Sequence, residues 1–142
     1  MIYITRRERF TAAHRLFKAE YSNEKNLEVF GKCSNPNWHG HNYQLFVTIK
    51  GNVNPETGFL MNLVDLKSII RKKIISKVDH KNLNLEVDFL NGKFTSTEVI
   101  AISIWNELEI EIKEKGAILH CIKITETENN SVEYFGENLI SK

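Results

Sequence analysis

The sequence predicts an α+β fold in which a four-stranded antiparallel sheet carries two helices on one face. Alternating apolar residues towards both ends of the chain indicate two pairs of strands, and two stretches between them carry apolar residues at helical spacing. The order is therefore two strands, two helices and two strands, which is typical of a sheet with its helices gathered on one side.

The first pair of strands is predicted near the start of the chain. Residues 2–13 form a strand pattern that ends on His14, and residues 17–32 show no sustained period, which predicts a long loop. Alternate apolar residues define the second strand, over residues 40–50: Tyr43, Leu45, Val47 and Ile49. A turn at residues 51–58 is expected to lead into a hairpin return over residues 59–61.

Two helices are predicted in the middle of the chain. The first begins after Asn62, whose side chain can accept from free backbone N–H groups, and it runs to about Lys77. The second begins within residues 95–98, where Thr95 and Glu98 have capping-box spacing, and it ends near Gly116. Both patterns are amphipathic, so one side of each helix is expected to pack on the sheet.

The second pair of strands is predicted after that glycine. Residues 118–126 alternate, and one face is predicted to hold a single row of side chains: Ile118, His120, Ile122, Ile124 and Glu126. Asn129 and Asn130 form a tight-turn dipeptide before a return strand that contains Val132 and Tyr134. A sheet of four strands has two open edges, which favours pairing with further copies of the chain.

The composition indicates one domain that spans residues 1–142. Of these residues, 42% are hydrophobic and 26% are charged, which suits a soluble domain with a sizeable core. Nineteen basic side chains against 18 acidic ones give no overall charge that favours nucleic acid or an anionic membrane. No apolar run approaches a membrane span and the first residues lack the order of a signal peptide, so a cytoplasmic protein is expected. Cys33 and Cys121 are expected to be free thiols.

Three histidines are candidate metal ligands. His39 and His41 stand two residues apart at the start of a strand, so both imidazoles point to the same face. Antiparallel pairing can bring His14, at the end of the first strand, into the same coordination sphere. Three protein ligands with a fourth position left for water or substrate is the arrangement of catalytic zinc. The alternative is that these are ordinary surface histidines.

Four further residues are candidates for acid–base chemistry or ligand binding. Cys33 lies in a slightly electropositive loop that favours a thiolate, although an ordinary free cysteine is the alternative. Asp79 beside His80 supplies a candidate base, or else a helix-terminal cap. Glu126 is expected to be partly buried, so it needs an Arg or Lys of this chain, or a ligand with a guanidine-like pair of donors.

Six motifs in register give the sequence a family resemblance. They are Phe-Thr-Ala-Ala-His at 10–14, Cys33 followed by His-Gly-His-Asn-Tyr at 39–43, Gly-Phe-Leu-Met-Asn-Leu-Val-Asp-Leu-Lys at 58–67, Asp-His-Lys-Asn-Leu at 79–83, Thr-Ser-Thr-Glu at 95–98 and Thr-Glu-Thr at 125–127. Together they extend from about Ile4 to Gly136. In these motifs the sequence resembles the 6-pyruvoyl-tetrahydropterin synthase family.

The resemblance implies a fold, an assembly and a substrate. The implied fold is the tunnelling fold (T-fold), in which the sheets of three subunits join into a barrel and two trimers stack as a homohexamer. Active sites in that family lie between subunits. The implied substrate is the small molecule 7,8-dihydroneopterin triphosphate, with no external redox cofactor.

Carried over position by position, the resemblance also assigns a metal site and a pterin site. The Zn²⁺ ligands would be the three histidines, His14, His39 and His41. Glu126 would anchor the amino-pyrimidine edge of the pterin, and Thr97 and Glu98 would line the same pocket.

The remaining candidates would form a proton relay. Cys33 would be the general acid and base, with His80 accepting and returning protons and Asp79 orienting His80. Zinc would polarise the hydroxyl oxygens of the substrate side chain. Protons would then move between side-chain carbons and the ring, and triphosphate would leave by elimination.

Two alternatives stay open. The 6-carboxytetrahydropterin synthases of queuosine biosynthesis, in the same family, use this substrate but release acetaldehyde. They typically have three residues between the cysteine and the His-Gly-His triplet and Asp-Phe at the position of Asn62 and Leu63, whereas five residues intervene here. The pair Met61 and Asn62 resembles the tetrahydrobiopterin branch. The second alternative is a non-catalytic pterin-binding zinc protein on the same scaffold.

Overall fold

The computed structural model describes residues 1–137, which form one sheet and the helices around it. The strands are β1 (Ile2–His14), β2 (His39–Gly51), β3 (Lys81–Asn82), β4 (Ile118–Thr127) and β5 (Asn130–Tyr134), and the helices are α1 (Asn23–Phe30), α2 (Leu63–Ile70), α3 (Ser76–Val78) and α4 (Thr97–Glu114). A π-helical turn, Arg71–Ile75, joins α2 to α3. None of these helices is long and apolar enough to cross a membrane.

The sheet confirms the predicted α+β class and its four long antiparallel strands. The strand order is β3-β1-β2-β4-β5, and β1, β2, β4 and β5 pair antiparallel. The prediction omits β3, a fifth strand of two residues that pairs in parallel with Ala12 and Ala13 of β1. Two residues are too few to show a period, so this strand has no signal in the sequence.

Alternation along β1 and β2 gives the sheet one buried face and one open face. Phe10, Ala12 and Tyr43 are buried beneath the helices. Their neighbours Thr11 and Asn42 point to the other side, where the Thr11 hydroxyl donates to the Asn42 side-chain carbonyl at 2.8 Å. Buried side chains of α2 and α4 complete the core on the first face, as predicted.

A β-bulge in β4 changes which residues face the core. The predicted apolar row is buried at Ile122 and Ile124, but Ile118 is 52% exposed and Leu119 is buried in its place. The register of β2 against β4 shifts by one residue at this point, which leaves His120 as the extra residue of a bulge. The prediction that Ile118 and His120 lie on the same face of β4 as Ile122 and Ile124 is therefore wrong.

The predicted long loop over residues 17–32 contains a helix. Ser22 is the N-cap of α1, and its hydroxyl accepts from the Lys25 N–H at 3.1 Å. Asn26 is the buried residue of this helix, and its side chain accepts from the Lys18 N–H and donates to the Lys18 carbonyl. Because α1 packs through a polar side chain, it has no apolar period that would predict it.

The first long helix begins where the sequence predicts, but the hairpin return before it is wrong. Asn62 is the N-cap, and its side chain accepts from the Val64 N–H at 2.9 Å. Residues 59–61 form no strand; the Asn54 N–H donates to the Phe59 carbonyl, and Leu60 is buried. This apolar run is therefore a loop whose side chains reach the core.

Helix α4 is capped one residue later than the capping box predicts. Ser96 is the N-cap, and its hydroxyl accepts from the Val99 N–H at 3.3 Å. Thr95 is fully buried, and its hydroxyl donates to the side-chain carbonyl of Asn84. Thr95 therefore ties the start of the helix to the segment around β3, while Ser96 performs the capping.

A buried ion pair joins β1 to the π-helical turn. The side chain of Glu8 is 8% exposed, and its Oε1 lies 2.7 Å from Arg6 Nη2 and 3.0 Å from Arg71 Nε. Burial by itself raises the pKa of Glu8, but the hydrogen bonds from the two guanidinium groups outweigh it and lower the pKa. Glu8 therefore stays charged in the folded chain.

The Glu8 ion pair is expected to make the fold less stable in acid. Its folded pKa lies below the ordinary value of 4.5, so its stabilisation is present above that value and is lost as the pH falls through the folded pKa. Urea unfolding from neutral pH to about pH 3 measures the effect in wild type and in Glu8→Gln. The free energy of unfolding is expected to fall less in Glu8→Gln. An equal fall in both proteins would contradict the prediction.

Candidate active site

Three histidines meet at one end of the sheet because of the register between β1 and β2. His14 pairs directly with His39, and His41 lies two residues further along β2. The ring centroids of His14 and His39 are 4.5 Å apart, and the His41 ring lies 5.1 Å from each of them. The structure thus brings together the three side chains that the sequence places at strand ends.

The glycine between two of these histidines lets the strands come close. A Cβ atom at Gly40 would lie 3.0 Å from the carbonyl oxygen of Ala12. Because Gly40 pairs with Ala13, a larger residue would push β2 away from β1. Gly40 therefore helps to keep His14 opposite His39.

The surroundings of His14 fix its tautomer. Its Nδ1 lies 2.7 Å from the carbonyl oxygen of Thr95, and since a carbonyl only accepts, Nδ1 carries the proton and Nε2 keeps its lone pair. Burial lowers the pKa of His14, and burial together with the nearby His41 lowers the pKa of His39. Both rings are held in the neutral form that binds metal.

Glu126, near the end of β4, adds a carboxylate to this cluster. Its Oε1 lies 2.8 Å from His41 Nε2 and 3.7 Å from His14 Nε2, and the Thr97 hydroxyl donates to its Oε2 at 2.9 Å. The side chain is 26% exposed, which agrees with the predicted partial burial. No Arg or Lys within residues 1–137 forms an ion pair with Glu126, whose nearest polar groups in the chain are His41 and Thr97.

The cluster fits a metal ion. One ligand atom from each of four residues lies within 4.8 Å of the others: His14, His39, His41 and Glu126. One ring nitrogen of each of the three histidines is buried with no hydrogen-bond partner in the described part of the chain. The contact of His41 Nε2 with Glu126 is short, but its direction is not that of a hydrogen bond. Such unpaired nitrogens are costly to bury. Imidazole and carboxylate groups are the ligands that zinc takes at catalytic sites.

Cys33 lies between two cavities that both reach this cluster. It is half-buried, on a 3₁₀ turn that follows α1, and its carbonyl accepts from the Leu16 N–H at 2.8 Å. One cavity, of about 850 Å³, is lined by Cys33 with His39 and His41. The other, of about 380 Å³, is lined by Cys33 and four more candidate residues: His14, Thr97, Glu98 and Glu126. Thus seven of the nine predicted site residues line one or both of these two cavities.

Asp79 and His80 form a pair of their own, away from Cys33. The Thr11 N–H donates to Asp79 Oδ1 at 3.0 Å, and His80 Nδ1 lies 3.0 Å from the same oxygen. The Thr11 bond, with a smaller contribution from His80, lowers the pKa of Asp79. The His80 side chain is 81% exposed, and Asp79 lines a cavity on the open face of the sheet beside Asn42. One chain therefore does not bring this pair to its own Cys33.

Segment 79–84, which carries this pair, is tied to β1 along its length. The His80 N–H donates to the Thr11 carbonyl at 2.6 Å, and the next two residues pair in parallel with β1. The side chain of Asn84 accepts from the Arg15 N–H and donates to the Arg15 carbonyl. The backbone φ of His80 is 60°, a left-handed conformation that residues other than glycine rarely adopt. Backbone strain of this kind is commonly found at functional positions.

Tyr43 is fully buried beside the histidines. Its ring stacks on Phe10 at 4.8 Å and meets the His41 ring edge-on at 5.4 Å. The hydroxyl has no hydrogen-bond partner among residues 1–137. Burial, with Glu126 and Cys33 nearby, raises the pKa of Tyr43, so the phenol stays neutral.

Replacing Tyr43 by phenylalanine is expected to leave stability unchanged or to raise it by about 1 kcal/mol, because the ring contacts remain and an unpaired buried hydroxyl disappears. Urea unfolding of wild type and Tyr43→Phe measures the difference. A loss of more than about 1 kcal/mol would show instead that the hydroxyl has a partner, such as an internal water.

Comparisons with known proteins identify the family. Residues 3–137 match the family described as 6-pyruvoyl tetrahydropterin synthase. The chain belongs to this family. Two relatives named 6-pyruvoyl tetrahydrobiopterin synthase, from Dictyostelium discoideum and Homo sapiens, are 46% and 44% identical over 136 and 134 residues. These matches cover 96% and 94% of this chain and 97% and 91% of the relatives.

A solved structure of the 6-pyruvoyl tetrahydropterin synthase family has the same fold. The structure of the Caenorhabditis elegans 6-pyruvoyl tetrahydropterin synthase matches with a TM-score of 0.88 at 34% identity, over 96% of each chain. A protein from Archaeoglobus fulgidus with the provisional name 6-carboxy-5,6,7,8-tetrahydropterin synthase is 33% identical over 95 residues, which is 67% of this chain and 73% of its own length. The two relatives named 6-pyruvoyl tetrahydrobiopterin synthase therefore match over a longer part of the chain, and at higher identity, than the Archaeoglobus protein.

Three residues at or next to the site are absent from the predicted site residues. Thr95 is predicted as a cap, yet its carbonyl binds His14; Asn84 and Tyr43 receive no site role at all. Tyr43 carried a signal, because it follows His41 by two residues on the same face of a strand. Thr95 acts through its backbone carbonyl, which has no residue-type signal, and Asn84 acts through a side chain that binds the backbone of Arg15, far away in the sequence.

Proposed function

We propose that the chain is a zinc-dependent 6-pyruvoyl-tetrahydropterin synthase, a carbon–oxygen lyase of tetrahydrobiopterin biosynthesis. It converts 7,8-dihydroneopterin triphosphate to 6-pyruvoyl-tetrahydropterin with loss of triphosphate. The main support for the proposal is the cluster of three histidines and Glu126, whose ligand atoms converge as they would around a metal ion. Residues of this cluster share a cavity with Cys33, and the chain belongs to this family.

The histidines and the acidic side chains divide metal and pterin binding between them. His14, His39 and His41 hold the zinc ion, which acts as a Lewis acid on oxygens of the substrate side chain. Glu126 accepts hydrogen bonds from the amino-pyrimidine edge, and the Thr97 hydroxyl bound to its Oε2 fixes the carboxylate. Glu98 lines the same cavity.

Cys33 and the pair Asp79 and His80 move protons. Cys33, as thiolate, takes a carbon-bound proton, and His80 accepts and returns protons while Asp79 holds His80 through Nδ1. The side chain is oxidised as the ring is reduced, so no external redox cofactor takes part. Because Asp79 and His80 lie on the open face of the sheet, they serve the Cys33 of a second copy of the chain.

The open edges of the sheet support assembly into a barrel. β3 covers only Ala12 and Ala13 of β1, and β5 ends the other side of the sheet. Unpaired edges of this kind bind further strands. In the proposed trimer, the β5 edge of one copy pairs with the β1 edge of the next, and stacking of two trimers gives a hexamer with active sites between subunits.

Mixing two inactive variants is expected to restore activity if the site is shared. Cys33→Ala and His80→Ala are each expected to turn over only slowly alone, but a mixed assembly places an intact Cys33 beside an intact His80 at about a quarter of the sites of a heterologous ring. Unfolding, mixing and refolding the variants together, followed by a turnover assay, measures this. Separately refolded variants, mixed afterwards, are the control. No recovery after co-refolding, with mixed oligomers present, would contradict the shared site.

The reaction itself is tested by incubating the zinc-loaded protein anaerobically with 7,8-dihydroneopterin triphosphate and identifying the products by mass. The proposal expects a pyruvoyl product and no acetaldehyde. A carboxy product with acetaldehyde would overturn it in favour of the queuosine branch, to which the Archaeoglobus relative points. Binding of the pterin without any product would favour a non-catalytic pterin-binding zinc protein.

A further inference from the structure

We infer that Asn84 and Thr95 are positioning residues for the metal ligand His14, holding its ring and its backbone in one hydrogen-bonded unit. The inference rests on the proposed zinc site and concerns residues outside the ligand set. Neither side chain belongs to the four groups whose ligand atoms converge.

Thr95 holds the ring of His14. Its carbonyl accepts from His14 Nδ1 at 2.7 Å, and both residues are almost completely buried, with 0% and 1% of their surface exposed. This bond decides which ring nitrogen is left for the metal. A ligand histidine whose other nitrogen is held in this way is fixed in tautomer and in orientation.

Asn84 holds the backbone next to His14. Its Oδ1 accepts from the Arg15 N–H at 3.0 Å, and its Nδ2 donates to the Arg15 carbonyl at 2.9 Å. This two-point contact fixes the residue that directly follows His14 in the chain. This contact follows closely on the backbone pairing of β3 with β1, which ends at Asn82.

The two holding residues are bound to each other. The Thr95 hydroxyl donates to Asn84 Oδ1 at 3.0 Å and lies 3.4 Å from the Arg15 carbonyl. The side-chain oxygen of Asn84 thus accepts from Arg15 and Thr95 together, which uses both of its lone pairs. Ring and backbone of His14 are consequently fixed to one another through Asn84.

Two variants remove this unit without removing a ligand. Thr95→Val keeps the carbonyl that binds His14 but deletes the hydroxyl that fixes that carbonyl to Asn84. Asn84→Asp replaces the Nδ2 donor by an oxygen that faces the Arg15 carbonyl. Each is expected to weaken zinc binding about 10- to 100-fold, the usual effect of losing a group that orients a metal ligand.

Matched controls separate this role from a general loss of stability. Thr95→Ser keeps the hydroxyl, and Asn82→Asp makes the same chemical change two residues away, where the side chain only accepts, from the N–H groups of Asn84 and Leu85. Both are expected to bind zinc within about twofold of wild type. Zinc dissociation constants come from competition with a chromophoric chelator on protein shown to be folded.

A second readout reports on His14 directly. In metal-free wild type, the buried Nδ1–H of His14 is expected to give a slowly exchanging proton NMR signal, and Thr95→Val is expected to weaken or lose it. The inference is overturned if folded Thr95→Val and Asn84→Asp bind zinc as tightly as wild type, even if they unfold more easily. Failure of wild type to bind zinc would instead overturn the proposed metal site.

Discussion

Cys33→Ala is expected to lower kcat by about 10²- to 10⁴-fold, the range that general acid–base catalysis contributes, with the zinc content unchanged. The thiol lines both cavities beside the histidines but is not among the four groups whose ligand atoms converge. Its removal takes away a proton carrier and leaves the metal ligands in place. Turnover of 7,8-dihydroneopterin triphosphate and zinc content, measured on one preparation, check the prediction.

The other cysteine of the chain provides the control. Cys121 is buried on β4, where burial raises the pKa of its thiol, and it lines neither of the two cavities. Cys121→Ala is expected to keep kcat within about twofold of wild type, since a buried cysteine of this kind has only a packing role. If Cys33→Ala turns over as fast as Cys121→Ala, Cys33 is not the acid–base catalyst.

His39→Ala is expected to lose the zinc ion and to lower kcat/KM by about 10³-fold or more, because Lewis-acid stabilisation is worth several kcal/mol. His39 is the first residue of β2 and is only partly buried, so its removal spares the core. Metal analysis after dialysis against a chelator, combined with the turnover assay, measures both effects. Added zinc in large excess is expected to restore part of the activity.

Two contrasting variants locate the effect in the metal site. His120→Ala removes a histidine at the other end of the sheet, where its ring meets Tyr3 at 4.7 Å, and it is expected to keep zinc and turnover. Glu126→Gln is expected to keep zinc and to raise KM, because the three histidines remain while the charge proposed to bind the pterin is lost. Full zinc occupancy in His39→Ala would contradict the assigned ligand set.

The long elements of the fold could be predicted because each buries one regular face. Alternate residues of β2 enter the core without interruption, and the caps Asn62 and Ser96 stand within the predicted cap clusters. The bulge at His120 could not be predicted, because one extra residue in a strand needs no turn former. Helix α1 is held through Asn26, so it lacks the apolar stripe by which helices are recognised.

The part of the candidate site that lies on two neighbouring strands, the three histidines, could be predicted from the sequence. The spacing of His39 and His41 sets their common face, and pairing with His14 needs only the register of one hairpin. The position of Asp79 and His80 relative to Cys33 depends on which face of the sheet a connection crosses and, in the proposed assembly, on a second copy of the chain. Neither is encoded in the spacing of residues along one sequence.

The attachment of segment 79–84 to β1 makes its length matter more than its composition. His80 is anchored at Thr11 and Asn84 at Arg15, so four steps along the segment match four steps along the strand. In the proposed assembly, the first anchor serves the reaction centre of a neighbour and the second supports the chain's own metal. A single deletion between them would therefore damage two reaction centres at once. The segment therefore sets a fixed spacing between adjacent sites. Insertions and deletions among natural relatives are expected to be rare in this segment and to occur instead in the exposed turn over residues 52–58.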